Sequence, residues 1–256
     1  MLTLVICQCG SNPMQKIKYK RILVKLSGEA LLGDQVSGID PKMIDKLSAE
    51  LVRLRDAGVE VACVVGGGNL MRGASLADGG LDRVTADHMG MLATVMNALA
   101  LQDGLLRQGA AALVMSGLAI PQVCETYTQR HARQHLAAGD IVIFAAGTGS
   151  PYFTTDTGAS LRAVEVQADL LIKATKVDGI YDKDPMKHAD ARRFEQLNYD
   201  QAIDQRLAVM DVAAMILCND NALQLVVCDI NQSGALLDLA RGELVGTRVS
   251  RNEVEK

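Results

Sequence analysis

The chain has 256 residues, 49% of them apolar and 22% charged, and a formal net charge of −4 at pH 7. Such a length holds one large domain or two small ones with a substantial core, and the apolar content excludes disorder as the main character. Aromatic residues are only 3% and tryptophan is absent, so with no dominant basic face the composition argues against nucleic acid as a partner.

The N-terminal MLTLVIC has no basic region before it and makes a poor signal peptide. The coherent pattern starts after Met14, so residues 1–18 are expected to be an extension, disordered or mis-started. Residues 21–26 (RILVKL) read as a first strand. Lys25 near its end is costly to bury and needs an anion, and beside Ser27 and Gly28 it fits a phosphate contact or, failing that, a solvent-facing edge. After a polar glycine-containing loop at 33–38, Asp40-Pro41 marks a helix start, followed by Met43, Ile44, Leu47, Leu51 and Leu54 on one face. Gly58 closes that helix and leads into a second strand, making a β-α-β unit whose default is a right-handed crossover between parallel strands.

That second strand ends in three glycines, Gly66, Gly67 and Gly68, followed by Asn69 to Arg72 as the expected first turn of a helix. Glycines allow close backbone approach or positive φ, free N–H groups at a helix start attract phosphate oxygens, and Arg72 supplies a bidentate fork. A tight structural turn is the plain alternative. Residues 85–108 predict a long helix with Met89, Leu92, Met96 and Leu99 on one face and further apolar residues around it, so it is either sandwiched in the fold or shared with another subunit. Asp87 and His88 sit at its start. No apolar run approaches the roughly 20 residues that cross a bilayer.

Residues 111–116 predict a third strand, 121–127 a turn and 127–136 a short helix. Residues 140–147 (DIVIFAAG) again deliver a strand into a glycine turn. The following TGSPYFTTD, with its hydroxyls and aromatic pair, reads as a small-molecule recognition loop rather than a plain turn. A helix over 157–168 and a strand over 169–174, with Lys173 near its end, come next. Residues 175–185 mix lysines with Asp178, Asp182 and Asp184, which suits either a hairpin loop or a nucleotide-phosphate and magnesium neighbourhood. Residues 195–203 read as polar turns, 208–218 as an apolar helix interrupted by Asp211, an acid that on such a surface usually caps or pairs with a neighbour, 223–228 as a strand, 233 onward as a short helix, and 246–249 as a terminal strand. The alternation predicts an α/β class, a three-layer α/β/α sandwich around a mainly parallel sheet.

Six cysteines and four histidines show no structural zinc spacing, and the three cysteines in apolar runs read as buried thiols. Ligands of an open parallel sheet collect at the carboxyl ends of strands, so the loops after Leu26, Val65 and Ala145 are expected to share one crevice. Lys25, Arg72 and either Lys173 or Lys176 would be its cations, and Asp156, Asp178 and Asp184 its carboxylates. Neither a Walker motif nor G-x-G-x-x-G is present. Phosphoryl transfer, which chiefly needs placed cations, fits this inventory.

The motifs KLSGEAL (25–31), GGGNLMRG (66–73), DHMGMLATVMNALA (87–100), AAGTGSPYFTTD (145–156) and KATKVDGIYDKDP (173–185) together resemble the bacterial uridylate kinases of the amino-acid-kinase superfamily. The likeness runs in motif order from about residue 19 to 249. It implies a single amino-acid-kinase (carbamate-kinase-like) domain over 19–256, with an acceptor-binding part at about 19–168 and an ATP-binding part at about 169–256. It implies transfer of the ATP γ-phosphoryl group to UMP, giving UDP in pyrimidine nucleotide biosynthesis, with Mg²⁺ held mainly by the nucleotide phosphates and no direct protein ligand. Catalytic residues by resemblance are Lys25, Arg72 and Asp156. ATP contacts are Lys25, Leu26, Ser27, Gly28, Gly68, Arg72, Thr175, Tyr181 and Asp184. UMP contacts are Gly67, Asp87, Thr148, Gly149, Ser150, Pro151, Tyr152, Phe153, Thr154 and Thr155, where Ser150 and Tyr152 depart from the GNPF of some family members. Gly33, Asp34, Gln35, Val36, Ser37 and Gly38 match a region linked to activation by GTP. The resemblance further implies a cytoplasmic homohexamer, inhibited by UTP. Two other functions are weighed against it: a kinase of a small carboxylate such as carbamate or acetylglutamate, and a non-catalytic sensor of UMP or UTP.

Overall fold

The computed structural model describes residues 16–71, 80–188 and 190–251. Its centre is a nine-stranded sheet in the order β4-β3-β5-β2-β1-β6-β10-β11-β9. The inner strands are β1 (Arg21–Leu26), β2 (Glu60–Val65), β5 (Ile141–Ala145), β6 (Leu170–Thr175) and β10 (Gln224–Asp229); β3 (Ala112–Ser116) and β4 (Glu125–Thr126) lie at one edge, β11 (Thr247–Ser250) and β9 (Gln196–Asn198) at the other. Every ladder is parallel except β10 with β11, which run antiparallel. β7 (Ile180–Tyr181) and β8 (Arg193–Phe194) form a separate antiparallel pair.

Inner strands read as continuous apolar runs because both faces are covered. On one side lie α1 (Pro41–Asp56), α2 (Arg83–Arg107) and the last helix, Ala235–Arg241; on the other lie α3 (Gln129–Ala138), α4 (Thr155–Glu165), α5 (Tyr199–Asp204) and α6 (Val212–Asp220). Strand alternation sorts the residues: Ile22, Val24 and Leu26 of β1 join the first core, and Leu23 the second. Thus the three-layer expectation holds. Asp40 caps α1 as anticipated, accepting from Lys42 N–H at 2.9 Å with Pro41 at the first helical position. Cys63, Cys218 and Cys228 are buried free thiols, and burial pushes Cys228 up to about 12.

Several local expectations are corrected. Residues 196–204 are not merely polar turns: β9 leads into α5 through an Asn198 capping box with Gln201. Asp211 does not interrupt the helix but does what an acid on such a surface is expected to do. It caps the helix, accepting from Ala214 N–H at 2.9 Å, so α6 starts after it. The run 121–127 contains the two-residue strand β4. Finally, α2 has the length and hydropathy of a membrane span over 25 residues, although no unbroken apolar run in the sequence does; half of the relevant window is buried inside the protein.

Candidate functional site: a cleft at the strand ends

The loops after β1, β2 and β5 do meet. A Cβ at Gly28 would lie 2.7 Å from Gly68 N and 2.8 Å from Gly66 O, so the loops touch backbone to backbone. A Cβ at Gly67 would strike Gly90 O at 2.8 Å and Ala93 on α2. Close approach is therefore what demands glycine here, since neither Gly66 nor Gly67 has positive φ. Gly68 to Leu70 form a turn in which the Leu70 and Met71 N–H groups both donate to Gly67 O. Arg72, the proposed anion fork, lies outside the described residues.

The turn is held from beneath by two buried amides. Asn97 Nδ2 donates to Gly66 O at 2.6 Å, and Asn69 and Asn97 exchange side-chain hydrogen bonds of 3.0 and 2.6 Å. Asn69 Nδ2 also donates to Gly38 O at 2.8 Å, while the Gly38 N–H donates to Asn69 O at 3.2 Å. Neither asparagine is singled out for a role in the sequence: Asn97 reads as a polar interruption of an apolar helix, and Asn69 only as part of the turn after the glycines.

A cleft of about 250 Å³ opens over this turn. Among the expected acceptor residues, Gly67, Asp87, Thr148, Ser150, Phe153, Thr154 and Thr155 line it, as does Gly68; Gly149, Pro151 and Tyr152 do not. α2 pins the β5 loop at two points. Ala146 N–H donates to Thr94 Oγ1 at 2.7 Å, and Tyr152 N–H donates to Asp87 Oδ2 at 2.8 Å. The pinned loop holds two non-glycine residues with positive φ, Ala146 at 59° and Tyr152 at 71°. Strain of this kind persists only where the surroundings overdetermine the backbone. Thr94 belongs to this site although the sequence signals only Asp87.

Beside the cleft lies a charge cluster. β1 and β6 pair in parallel with Lys25 opposite Lys173, and both side chains face the α4 side of the sheet. Two adjacent buried ammonium groups need an anion, and Asp156 in the first turn of α4 supplies it. Lys25 Nζ lies 2.8 Å from Asp156 Oδ1 and Lys173 Nζ 2.9 Å from Oδ2. Lys173 also donates to Val209 O at 2.5 Å. Burial alone would raise the Asp156 carboxyl, but the two lysine charges outweigh it and hold the group below its usual value. Burial, reinforced by the Lys25 charge, pulls Lys173 down. The choice left open between Lys173 and Lys176 thus falls to Lys173; Lys176 is exposed.

Asp211 ties this cluster to α6. Its Oδ2 accepts from Thr154 Oγ1 at 2.5 Å and from Thr157 Oγ1 at 2.8 Å. Thr154 in turn caps α4.

The single crevice expected from the sequence divides into two. Tyr181 and Asp184 line another pocket, of about 450 Å³, with Val177, Gly179 and residues 205–208. Asp178 is engaged at the surface, with Arg193 at 3.0 Å and the Tyr181 hydroxyl at 2.6 Å. Asp184 pairs with Lys187 at 3.3 Å. The reason is topological: after β6 the chain turns outward into the β7–β8 pair and carries these acids with it. Thr175 closes the local turn, its Oγ1 donating to Val177 O at 2.9 Å. Leu26 is buried, and Gly28 opens a short 3-10 helix, Gly28–Leu31.

Among the described residues no group of three or more His, Cys, Asp or Glu could hold a metal ion. Asp156 is already shared between two lysines.

A model of the amino acid kinase family matches residues 20–229. Curated relatives include the uridylate kinase of Xanthomonas oryzae pv. oryzae, 57% identical over 236 residues that cover 92% of this chain and 98% of the relative. Among solved structures, UMP kinase from Bacillus anthracis superposes with a TM-score of 0.88 at 36% identity, covering 91% of this chain and 97% of the other. UMP kinase from Ureaplasma parvum gives 0.85 at 32%, covering 92% and 100%.

Proposed function

The chain belongs to the amino acid kinase family and, within it, to the bacterial uridylate kinases, and on that premise we infer that it transfers the γ-phosphoryl group of ATP to UMP, giving UDP and ADP. The observation that carries this reading is the Lys25–Asp156–Lys173 cluster beside a glycine-walled cleft, at neighbouring carboxyl ends of one sheet.

The chemistry asks for little covalent help. A UMP phosphate oxygen is already ionised and nucleophilic, so no general base is needed. What the residues supply is placement and charge. Lys25, oriented by Asp156, offsets negative charge on the transferred group. The glycine turn lets backbone N–H groups approach the acceptor phosphate, with Arg72 as their partner. Asp87 would accept from the UMP ribose, and residues 148–155 would select the base. Tyr181 and Asp184 in the neighbouring pocket, with Thr175, would hold the adenosine end of ATP. Mg²⁺ arriving with ATP would supply positive charge that offsets the negative charge of the nucleotide phosphates.

Regulation and assembly are part of the same proposal. Residues 33–38 are read as the region through which GTP activates, supported by the paired hydrogen bonds between Gly38 and Asn69; UTP is read as an inhibitor. The assembly is read as a homohexamer, and its self-association, though not its copy number, is supported by a stripe on α2: Leu92, Met96 and Leu106 are exposed, and Leu99 between them is only partly buried. These positions share one helical face that the chain itself leaves open to solvent. Light scattering of wild type and Met96→Glu tests it, with a smaller assembly expected for the variant.

An ADP-release assay with ATP and Mg²⁺ tests the reaction, using UMP, CMP, carbamate and acetylglutamate as acceptors, with and without GTP. UMP should be strongly preferred. Preference for either carboxylate would point to the small-carboxylate kinases, and absence of turnover with bound UMP to a sensor.

A further inference from the structure

Two of the four histidines converge far from any role assigned above. His131 and His135 stand one turn apart on α3, and their Nε2 atoms are 2.9 Å apart. Each ring is anchored at its other nitrogen by a carboxylate. His131 Nδ1 lies 2.9 Å from Glu125 Oε2 on β4, and His135 Nδ1 lies 2.7 Å from Asp140 Oδ2 in the turn before β5. A carboxylate on Nδ1 keeps the proton there, which leaves Nε2 of a neutral imidazole as a bare lone pair. Two such lone pairs facing each other at 2.9 Å repel unless something positive sits between them.

We propose that His131 and His135 form a two-nitrogen chelate for a divalent late-transition ion, with Glu125 and Asp140 as the outer carboxylates that orient the rings. Histidines at i and i+4 on one helical face are a known metal-binding spacing. With metal–nitrogen bonds of about 2.0–2.1 Å, nitrogens 2.9 Å apart subtend about 90° at the ion. That is the cis angle of tetragonal or octahedral coordination, which suits Ni²⁺ or Cu²⁺ better than tetrahedral Zn²⁺. The ring centroids, 4.5 Å apart with planes 65° to each other, are angled rather than stacked. Among the described residues no third His, Cys, Asp or Glu joins the pair. Water therefore takes the remaining positions, and the partly exposed rings, 42% and 29% accessible at the side chain, leave room for it. A proton shared between the two Nε2 atoms is the competitor for the same space. Because Glu125 comes from the edge strand β4 and Asp140 from the α3–β5 turn, a bound ion would fix the two rings of α3 against both.

The test uses the full chain without an affinity tag, stripped of metal and titrated with NiCl₂ and with CuCl₂ in a non-chelating buffer. Calorimetry should give one ion per chain, and the Cu²⁺ form should show hyperfine structure from nitrogen ligands in its electron paramagnetic resonance spectrum. His131→Ala and His135→Ala should each abolish that binding with unchanged far-ultraviolet circular dichroism. Asp140→Asn should weaken it by about 10–100-fold, the usual effect of removing an outer-shell partner, and His188→Ala should leave it unchanged. Absence of a saturable one-per-chain event in the wild type overturns the proposal. So does equal affinity in either alanine variant, or a spectrum dominated by sulfur.

Discussion

Lys25 Nζ lies 2.8 Å from Asp156 Oδ1, and this contact joins the end of β1 to the first turn of α4. The same carboxylate holds Lys173 at 2.9 Å, so removing Lys25 does not strand it. Lys25→Ala also takes a like charge away from its register partner Lys173. The melting temperature should therefore change little. The reaction should suffer far more: loss of one placed charge at a developing anion typically costs about 10²–10³ in kcat. Steady-state kinetics beside a thermal melt check this, and an effect confined to UMP affinity would show that Lys25 binds the acceptor rather than stabilising the transferred group.

Asp156→Asn should behave in the opposite way. It leaves the buried Lys25 and the largely buried Lys173 side by side without the carboxylate that bridges them, and breaking such a buried pair costs up to about 3–5 kcal/mol of stability. The pH dependence follows from the lowered carboxyl. Unfolded chain binds more protons than folded chain between the depressed folded value and the ordinary 3.8. The Asp156 contribution is thus complete above that ordinary value and lost as pH falls through the folded one. Lys173, also lowered, makes stability rise with pH as the medium passes from its folded value toward 10.5. Urea melts across pH should show the acid-side slope in the wild type and a smaller one in Asp156→Asn.

How much of this was legible in the sequence depends on the range of each interaction. The inner strands and α1 declared themselves because an apolar run or an Asp-Pro cap is local. β9 and α5 did not, since a three-residue strand with an exposed first residue carries almost no periodicity. Lys25 announced a need for an anion, but only the parallel register revealed that Lys173 shares it. Of the two reasons the sequence offers for Gly66 and Gly67, close approach rather than left-handed backbone applies, and what comes close is Gly28 and α2, which no local pattern reveals. Asp211 read as an acid that caps or pairs, but its partners Thr154 and Thr157 stayed hidden because they belong to a distant helix start.

Asp211→Ala should accordingly do two things. Losing the α6 cap costs about 0.5–2 kcal/mol. Losing the acceptor for two threonine hydroxyls frees the start of α4, from which Asp156 projects. A modest drop in melting temperature with a larger fall in kcat is expected, and Asp211→Asn, which can still cap, should recover the stability more than the rate.

Thr155 lines the cleft from the first residue of α4 and makes no hydrogen bond that Thr154 or Thr157 makes to Asp211. Thr155→Ala should leave the fold intact and narrow the preference for UMP over CMP. Equal losses with both acceptors would count against a role in choosing the base.

Asn69→Ala probes whether residues 33–38 speak to the glycine turn. The substitution removes the side-chain bond to Gly38 O and both hydrogen bonds shared with the buried Asn97 amide, a cost of about 1–3 kcal/mol for each group left unsatisfied. If GTP acts through residues 33–38, its signal must reach the acceptor loop, and the paired Gly38–Asn69 hydrogen bonds are a direct link between them. The ratio of rates with and without GTP should then fall toward one. Because that ratio compares the same variant with itself, loss of folded protein lowers both rates alike and leaves it unchanged. A wild-type ratio in Asn69→Ala would mean that the side-chain bond to Gly38 is structural, and that any effect of GTP travels by another route, the surviving Gly38 N–H bond to the backbone O of residue 69 included.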